Sequence, residues 1–189
     1  MTNNFSNHNA ETRILWIDVE TTGLNLHEMD KLLQVAAIIT DGDFNEIAEP
    51  FEAKVRFENW QVGMLKNRSK DVVREMHEKT GLWDSLKTSG ITLPMLDERL
   101  VKFIEDNSLE GKQPYFGGNS IFLDRTALML NLPKSFSKIH YRSIDMSSIA
   151  IYMGLTTNAE PFEKSKRHDA LDDIRESIAE AKYYRDLLK

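Results

Sequence analysis

Five side chains, scattered along a 189-residue chain, are of types that together perform phosphoryl chemistry. Asp18 and Glu20 stand two residues apart, after the apolar run Ile14-Leu15-Trp16-Ile17 and before Thr21-Thr22-Gly23-Leu24. In an extended strand the period of two puts both on one face, roughly 6–7 Å apart. Two carboxylates so placed repel, and at least one resists ionising unless a cation lies between them. Read alone, the pair is equally two solvated acids at a strand end. Asp124 lies near the start of a predicted helix, where an acid is first of all a partner for the helix dipole. His168 and Asp173 open the last helix. At about 100° per residue Asp173 borders the stripe formed by Leu171, Ile174, Ile178 and Ala181, whereas Asp172 falls on the wet side. A lone histidine ahead of a helix is usually incidental or a cap.

The combination carries the chemistry. Four carboxylates converging with one imidazole are unstable without metal, and hard Mg²⁺ or Mn²⁺ prefers such oxygen ligands. Two-metal phosphoryl chemistry needs this set: two cations clamp the scissile phosphate and one lowers the pKa of a bound water. His168, with an unperturbed pKa of about 6.5, would take that water's proton as general base.

The elements that must position these residues can be read from the pattern. Ile14 to Glu20 is a buried strand, Leu32 to Thr40 a second apolar run ending at Asp41-Gly42-Asp43, and Ile47 to Phe57 a third, less buried strand, together a meander. Asp71 to His77 and Asp84 to Lys87 suggest short helices. Pro94 to Asn107 is a better one, with proline in its first turn and Leu96, Leu100, Phe103 and Ile104 on one face. A strand from Gln113 to Phe116 ends at Gly117-Gly118, and a helix from Ile121 to Asn131 follows. Ile139 to Asp145 is another strand, Met146 to Met153 a helix that Gly154 could cap, and Ala170 to Leu188 a long amphipathic helix. Three strands followed by alternating helices and strands indicate an α/β domain with a mixed sheet.

Composition narrows the classes. The net charge of −6 argues against a protein that grips long nucleic acid by neutralising phosphates, and allows a small nucleotide substrate held by few groups and metal ions. No apolar run approaches the roughly 18 residues of a membrane helix. Met1 to Arg13 is polar, lacks the hydrophobic segment of a secretory signal, and is expected to be a disordered lead-in. The absence of cysteine excludes disulfides and thiolate zinc sites, and fits a cytoplasmic protein.

The ordered set Asp-x-Glu at the first strand, a mid-chain Asp and His-x₄-Asp near the end resembles the three motifs of DEDDh exonucleases, which have a ribonuclease H-like fold. Further stretches are similar to the oligoribonuclease family: Gly118-Asn119-Ser120-Ile121 with Asp124-Arg125, His140-Tyr141-Arg142 with Asp145 and Ser147, His168 through Asp173 with Arg175-Glu176-Ser177, Ala179-Glu180, and Tyr183-Tyr184-Arg185. The resemblance covers roughly Ile14 to Lys189, expected to be a single exonuclease domain, α/β, with a ribonuclease H-like mixed five-stranded sheet flanked by helices. It implies 3′→5′ hydrolysis of 5′-phosphorylated dinucleotides and very short RNA to mononucleotides, with Asp18, Glu20, Asp124 and Asp173 holding two Mg²⁺ or Mn²⁺ and His168 as base. It also implies a cap on the substrate's 5′-phosphate from Ser120, Arg142 and Ser147, an apolar wedge at Leu24, a substrate contact at His77, and a homodimer in which Tyr141 reaches the partner's site. Without the resemblance, Leu24 would be read as core and Tyr141 as a locally packed strand residue. Neither a membrane nor long duplex nucleic acid is an expected partner.

The sequence departs from the family pattern in places. The first motif has Val19 and Thr21 where oligoribonucleases usually carry Leu and Met, and Thr-Thr-Gly is more typical of proofreading-type DEDDh exonucleases. Val72 stands where a tryptophan is expected five residues before His77, and Asn158 to Lys166 is atypical. The alternative is therefore a proofreading-type 3′→5′ exonuclease on single-stranded DNA.

Overall fold

The computed structural model describes residues 9–158, 160–164 and 169–188. Five strands form one mixed sheet in the order β3-β2-β1-β4-β5. They are β1 (Arg13–Thr21), β2 (Leu32–Asp41), β3 (Phe51–Lys54), β4 (Tyr115–Gly118) and β5 (Ser143–Asp145). The first three form the antiparallel meander, and β4 and β5 add in parallel on the other side of β1. This is the expected α/β architecture with a ribonuclease H-like mixed sheet.

β1 is central because it is apolar on both faces, and the period of two divides its side chains between two cores. Leu15, Ile17 and Val19 pack with Leu96, Leu100, Ile104, Ala127 and Leu128. These come from helices α4 (Leu93–Asn107) and α5 (Phe122–Asn131). Ile14 and Trp16 face the opposite way, onto Met146, Ile174, Ile178 and Ala181. That cover is α7 (Met146–Thr156) and α8 (Ala170–Leu187). Asp18 and Glu20 continue the Trp16 face, so they end on the side covered by α8. Each fully buried aliphatic side chain contributes on the order of 1.5–3 kcal/mol, which fixes the register of β1. Gly117, paired with Trp16 across the β1 and β4 ladder, has no room for a side chain, because a Cβ there would lie 2.8 Å from the Trp16 ring. Glycine thus leaves room beside β4 for the indole, whose Nε1 donates to Thr40 Oγ1 of β2 at 3.0 Å.

Helices α1 (Asn59–Arg68), α2 (Asp71–Lys79) and α3 (Leu82–Thr88) enclose a small third core of Leu33, Val62, Leu65, Leu82, Trp83 and Leu86. A four-residue helix, α6 (Pro133–Phe136), follows α5. Several boundaries differ from the sequence reading. α1 and α6 were not expected, β3 and β5 are shorter than their apolar runs, and α7 passes through Gly154 to a cap at Thr157. The lead-in has structure from Asn9 onward: the Gly42 N–H donates to the Asn9 carbonyl at 3.0 Å, and Asn9 Nδ2 donates to Asp43 at 2.7 Å. Among the described residues no helix is long and apolar enough to cross a membrane.

Candidate active site

The acidic residues gather at the C-terminal end of β1. Its register against β2 slips between Glu20 and Thr21, a bulge that re-aims the end of the strand. Beyond it, Thr21 Oγ1 donates to the Gly23 carbonyl at 2.8 Å. Thr22 Oγ1 and the Asn25 N–H both donate to the Asp30 carboxylate, at 2.9 and 2.8 Å. Gly23 has no space for a side chain, since a Cβ would come within 2.5 Å of Asp30. The Thr-Thr-Gly sequence therefore folds a tight loop that leaves Leu24 82% exposed. Leu24 is not core.

Asp124 comes from the first turn of α5, and its Oδ1 accepts from the Val19 N–H at 3.0 Å, between the two β1 acids. Asp173 lines an open crevice with Asp18, Gly118, Asn119, Lys164, Glu176 and Ser177. The electrostatics show how tightly these groups are set. Burial, followed by the charges of Asp124, Glu20, Asp173 and Asp169, pushes the Asp18 carboxyl well above its usual range. Burial, then Asp173, Asp124 and Asp169, raises Glu20 to about 8. Burial raises Asp124 to about 7, against the hydrogen bond from Val19 that lowers it. Asp18, Glu20, Asp124 and Asp173 thus stand together.

Asp169 was not singled out from the sequence. It is the N-cap of α8, accepting from the Leu171 and Asp172 N–H groups at 3.2 and 3.3 Å, and its charge reaches both Asp18 and Glu20. An Asp directly before an apolar-periodic helix is a capping signal, which masks any second role. His168 lies outside the described residues.

Donor chemistry suits a hard divalent cation: oxygen ligands only, crowded enough to raise one another's pKa, a strain that bound positive charge relieves. Among the described residues, no three acidic or imidazole side chains already close on one metal point. The carboxylates share one space without forming a finished chelate.

A second polar group adjoins them. Ser120, the residue before the α5 cap, adopts the left-handed conformation at φ 51°, uncommon for a serine and a form of strain that collects at functional sites. Its Oγ lies 2.9 Å from Ser147 Oγ. The backbone N–H groups of both serines donate to Asp145 Oδ1 at 3.0 Å, so one carboxylate fixes the two together. Arg142, expected in the same cap, is exposed. Among the described residues its guanidinium lies over the Tyr141 ring at 5.1 Å and makes no bond to the serine pair. Tyr141 stacks on His140 at 4.6 Å, yet remains 71% exposed and lies ahead of β5 rather than within it.

His77 corrects an expectation. The family resemblance implies a substrate contact there, but its side chain is 1% exposed and offers no surface to a ligand. Nε2 is 2.9 Å from the Thr21 carbonyl, the ring packs edge-on against Trp83 at 5.3 Å, and Nδ1 is 3.7 Å from Glu20 Oε2. Burial lowers its pKa, which favours the neutral imidazole. His77 stands behind Glu20.

The mixed sheet carries this acidic cluster at the end of its central strand, and known proteins place the chain in a family. Residues 15–181 match the family model described as exonuclease. The chain belongs to the exonuclease family and is a 3′→5′ exonuclease, in a family that generally uses divalent metal ions. Within that class it is similar to oligoribonucleases. It is 36% identical to that of Rhodococcus jostii over 185 residues, covering 93% of this chain and 87% of the relative. It is also 36% identical to that of Francisella tularensis subsp. novicida over 175 residues, covering 93% and 95%. Among solved structures, the fold is similar to E. coli exonuclease I in complex with a 5cy-dT13 oligonucleotide, with TM-score 0.67 and 17% identity over 93% of this chain. A zinc-bound exonuclease I complex with single-stranded DNA gives 0.68 at 19%. The chain spans about 41% of the length of either.

Proposed function

We propose that this exonuclease hydrolyses 5′-phosphorylated dinucleotides and very short RNA oligonucleotides to mononucleotides, as an oligoribonuclease. The observation that carries this reading is the position of the serine pair. Ser120 is four residues before Asp124 and bonded to Ser147, so a polar subsite adjoins the acidic cluster at a fixed interval. A terminal phosphate held there, with Arg142 turned from Tyr141 to supply a charge-assisted fork, places the next phosphodiester at the carboxylates. A longer strand has no room for its extra nucleotides beyond such a cap. Exposed Leu24 suits a wedge between two bases.

Asp18, Glu20, Asp124 and Asp173 would hold two Mg²⁺ or Mn²⁺. When bound, the ions supply Lewis-acid stabilisation of the phosphate charge and a water of lowered pKa. His168 is the proposed base that accepts the proton from the attacking water. A homodimer is part of the reading, with Tyr141 completing the partner's site. Its exposure supports this, as do the exposed Ile151, Tyr152 and Leu155 of α7, an apolar surface suited to a second subunit. The composition without cysteine fits a cytoplasmic setting.

The test compares a 5′-phosphorylated RNA dinucleotide with a heptamer at equal concentration in Mn²⁺. Faster turnover of the dinucleotide is expected. Equal or faster turnover of the heptamer rejects the length selectivity, and processive digestion of single-stranded DNA tens of nucleotides long points instead to a proofreading-type enzyme.

A further inference from the structure

The side chains behind the serine pair determine where every hydroxyl proton goes. Glu180 is a carboxylate on α8, 4% exposed, bonded to Lys164 Nζ at 2.7 Å and to Asn119 Nδ2 at 2.9 Å. A carboxylate paired with lysine only accepts, so Asn119 must turn its amino group toward it. The other Nδ2 proton goes to Ser177 Oγ at 3.1 Å, and Ser177 gives its own proton to the Asp173 carbonyl at 3.0 Å. Both Asn119 amino protons are engaged, and its Oδ1 is left facing Ser147, whose Oγ donates to it at 2.8 Å. Ser147 has one hydroxyl proton and Asn119 holds it. In the contact of 2.9 Å between the serines, Ser120 is therefore the donor.

This inference rests on the 5′-phosphate cap of the proposed function and deepens it. We propose that Asn119, oriented by the buried Glu180 carboxylate that also pairs with the more exposed Lys164, is a positioning residue that makes Ser120 the serine that donates to the terminal phosphate and keeps Ser147 as an acceptor and support. The chain of contacts is specific. Ser120 gives up a bond to a neutral hydroxyl and gains a stronger one to an anion by rotating a single torsion. For Ser147 to donate, Asn119 would have to lose its acceptor role or flip, leaving its amide oxygen against the Glu180 carboxylate. The backbone of both serines stays fixed by Asp145 throughout. The network also joins the cap to Lys164, in the segment leading to α8, and to the Asp173 turn through Ser177.

The experiment reads kcat/KM for a 5′-phosphorylated dinucleotide divided by that for the 5′-hydroxyl dinucleotide. Ser120→Ala should lower this preference about 10-fold, the size of one charge-assisted hydrogen bond, mostly through KM. Ser147→Ala should lower it about threefold or less, because no donor is lost. In an Asn119→Ala background the Ser147 proton is released, and the Ser120→Ala effect should shrink by at least half on a logarithmic scale. Glu180→Gln, which removes the charge that fixes the amide, serves as the second background if Asn119→Ala fails to fold by circular dichroism. A Ser147→Ala loss equal to or larger than that of Ser120→Ala overturns the assignment. So does an asymmetry that persists unchanged in both backgrounds. Wild-type protein indifferent to the 5′-phosphate overturns the cap and this inference together, whereas a clear wild-type preference with the wrong asymmetry overturns this inference alone.

Discussion

The Val19 N–H donates to Asp124 Oδ1 at 3.0 Å, tying the first turn of α5 to β1 midway between Asp18 and Glu20. One carboxylate thus has two tasks, bracing a helix against a strand and supplying an oxygen to the acidic site. The tasks separate by substitution. Asp124→Asn keeps an oxygen that accepts from Val19 and should retain the fold, while losing activity by about 100-fold or more through the missing metal charge. Because Asp124 is raised to about 7 by burial, the metal-free Asn variant should also melt above the metal-free wild type at pH 8. Asp124→Ala loses the brace too and should be less stable than Asp124→Asn by about 1–3 kcal/mol. Thermal melts in a chelator, beside a nuclease assay, check both halves. An Asn variant that keeps its rate removes Asp124 from the chemistry.

The same crowding predicts a stability that depends on pH in an unusual direction. Glu20 moves from 4.5 unfolded to about 8 folded, and Asp124 from 3.8 to about 7. A carboxyl raised on folding binds more protons in the native state, so stability falls as pH rises. Its contribution is fully present below about pH 4 and is lost by about pH 8. The metal-free protein should therefore melt lower at pH 8 than at pH 5.5, by several degrees at about 2–4 °C per kcal/mol. Saturating Mg²⁺ or Mn²⁺ binds the ionised form, so the ion-induced rise in Tm should grow with pH. Calorimetry at four pH values with and without metal decides it. A rise that is flat with pH contradicts the assignment of these acids as ligands.

How far the sequence goes is clearest from particular residues. β1, β2, α4 and α8 are legible because their apolar spacing alone selects a period, and Asp18 with Glu20 follows once the strand is placed. Helix α1 is not legible, since only Val62 and Leu65 are buried, Gly63 interrupts the run, and its capping box begins with Glu58 rather than a shorter polar residue. β5 needs its partner: three residues pair only because β4 lies alongside. The bulge after Glu20 exists only in the register with β2. Gly154 reads as a stop signal in one dimension, but its surroundings are open and α7 continues past it. Asn119, Asp169 and Glu180 fall within the family-like stretches, but their own tasks are not legible from spacing, because only the packed helices bring them to the site.

Leu24 and Tyr141 are exposed, so their truncation should cost almost no stability, within about 0.5 kcal/mol. Their effects should appear in turnover alone. Leu24→Ala is expected to slow dinucleotide hydrolysis about 10-fold. Tyr141→Ala should do the same, and its origin in the partner subunit can be tested by mixing. Inactive Asp18→Ala and the about 10-fold slower Tyr141→Ala protein, unfolded and reassembled together, should reach about a quarter of the wild-type rate, since half the dimers carry one intact site if two subunits pair at random. A mixture no faster than the average of its two components places Tyr141 in its own subunit's site or outside any site.

His77 supplies the sharpest distinction between support and contact. Its ring is wholly buried, which favours the neutral form, is bonded to the Thr21 carbonyl at the bulge and lies 3.7 Å from Glu20, and among the described residues Nδ1 has no hydrogen-bond partner. His77→Phe preserves the volume and the edge-on contact with Trp83 but leaves the Thr21 carbonyl unsatisfied, which should cost about 1–3 kcal/mol. With its packing partner and hydrogen bond changed, the bulge holds Glu20 less firmly, so the Mn²⁺ concentration needed for half-maximal rate should rise several-fold. KM for the dinucleotide, measured at saturating Mn²⁺, should change less than twofold. A residue that touched substrate would give the reverse pattern, with KM raised and the metal requirement untouched. Titrating Mn²⁺ and dinucleotide separately on the one variant therefore decides whether this imidazole acts on the ligand or on the carboxylate in front of it.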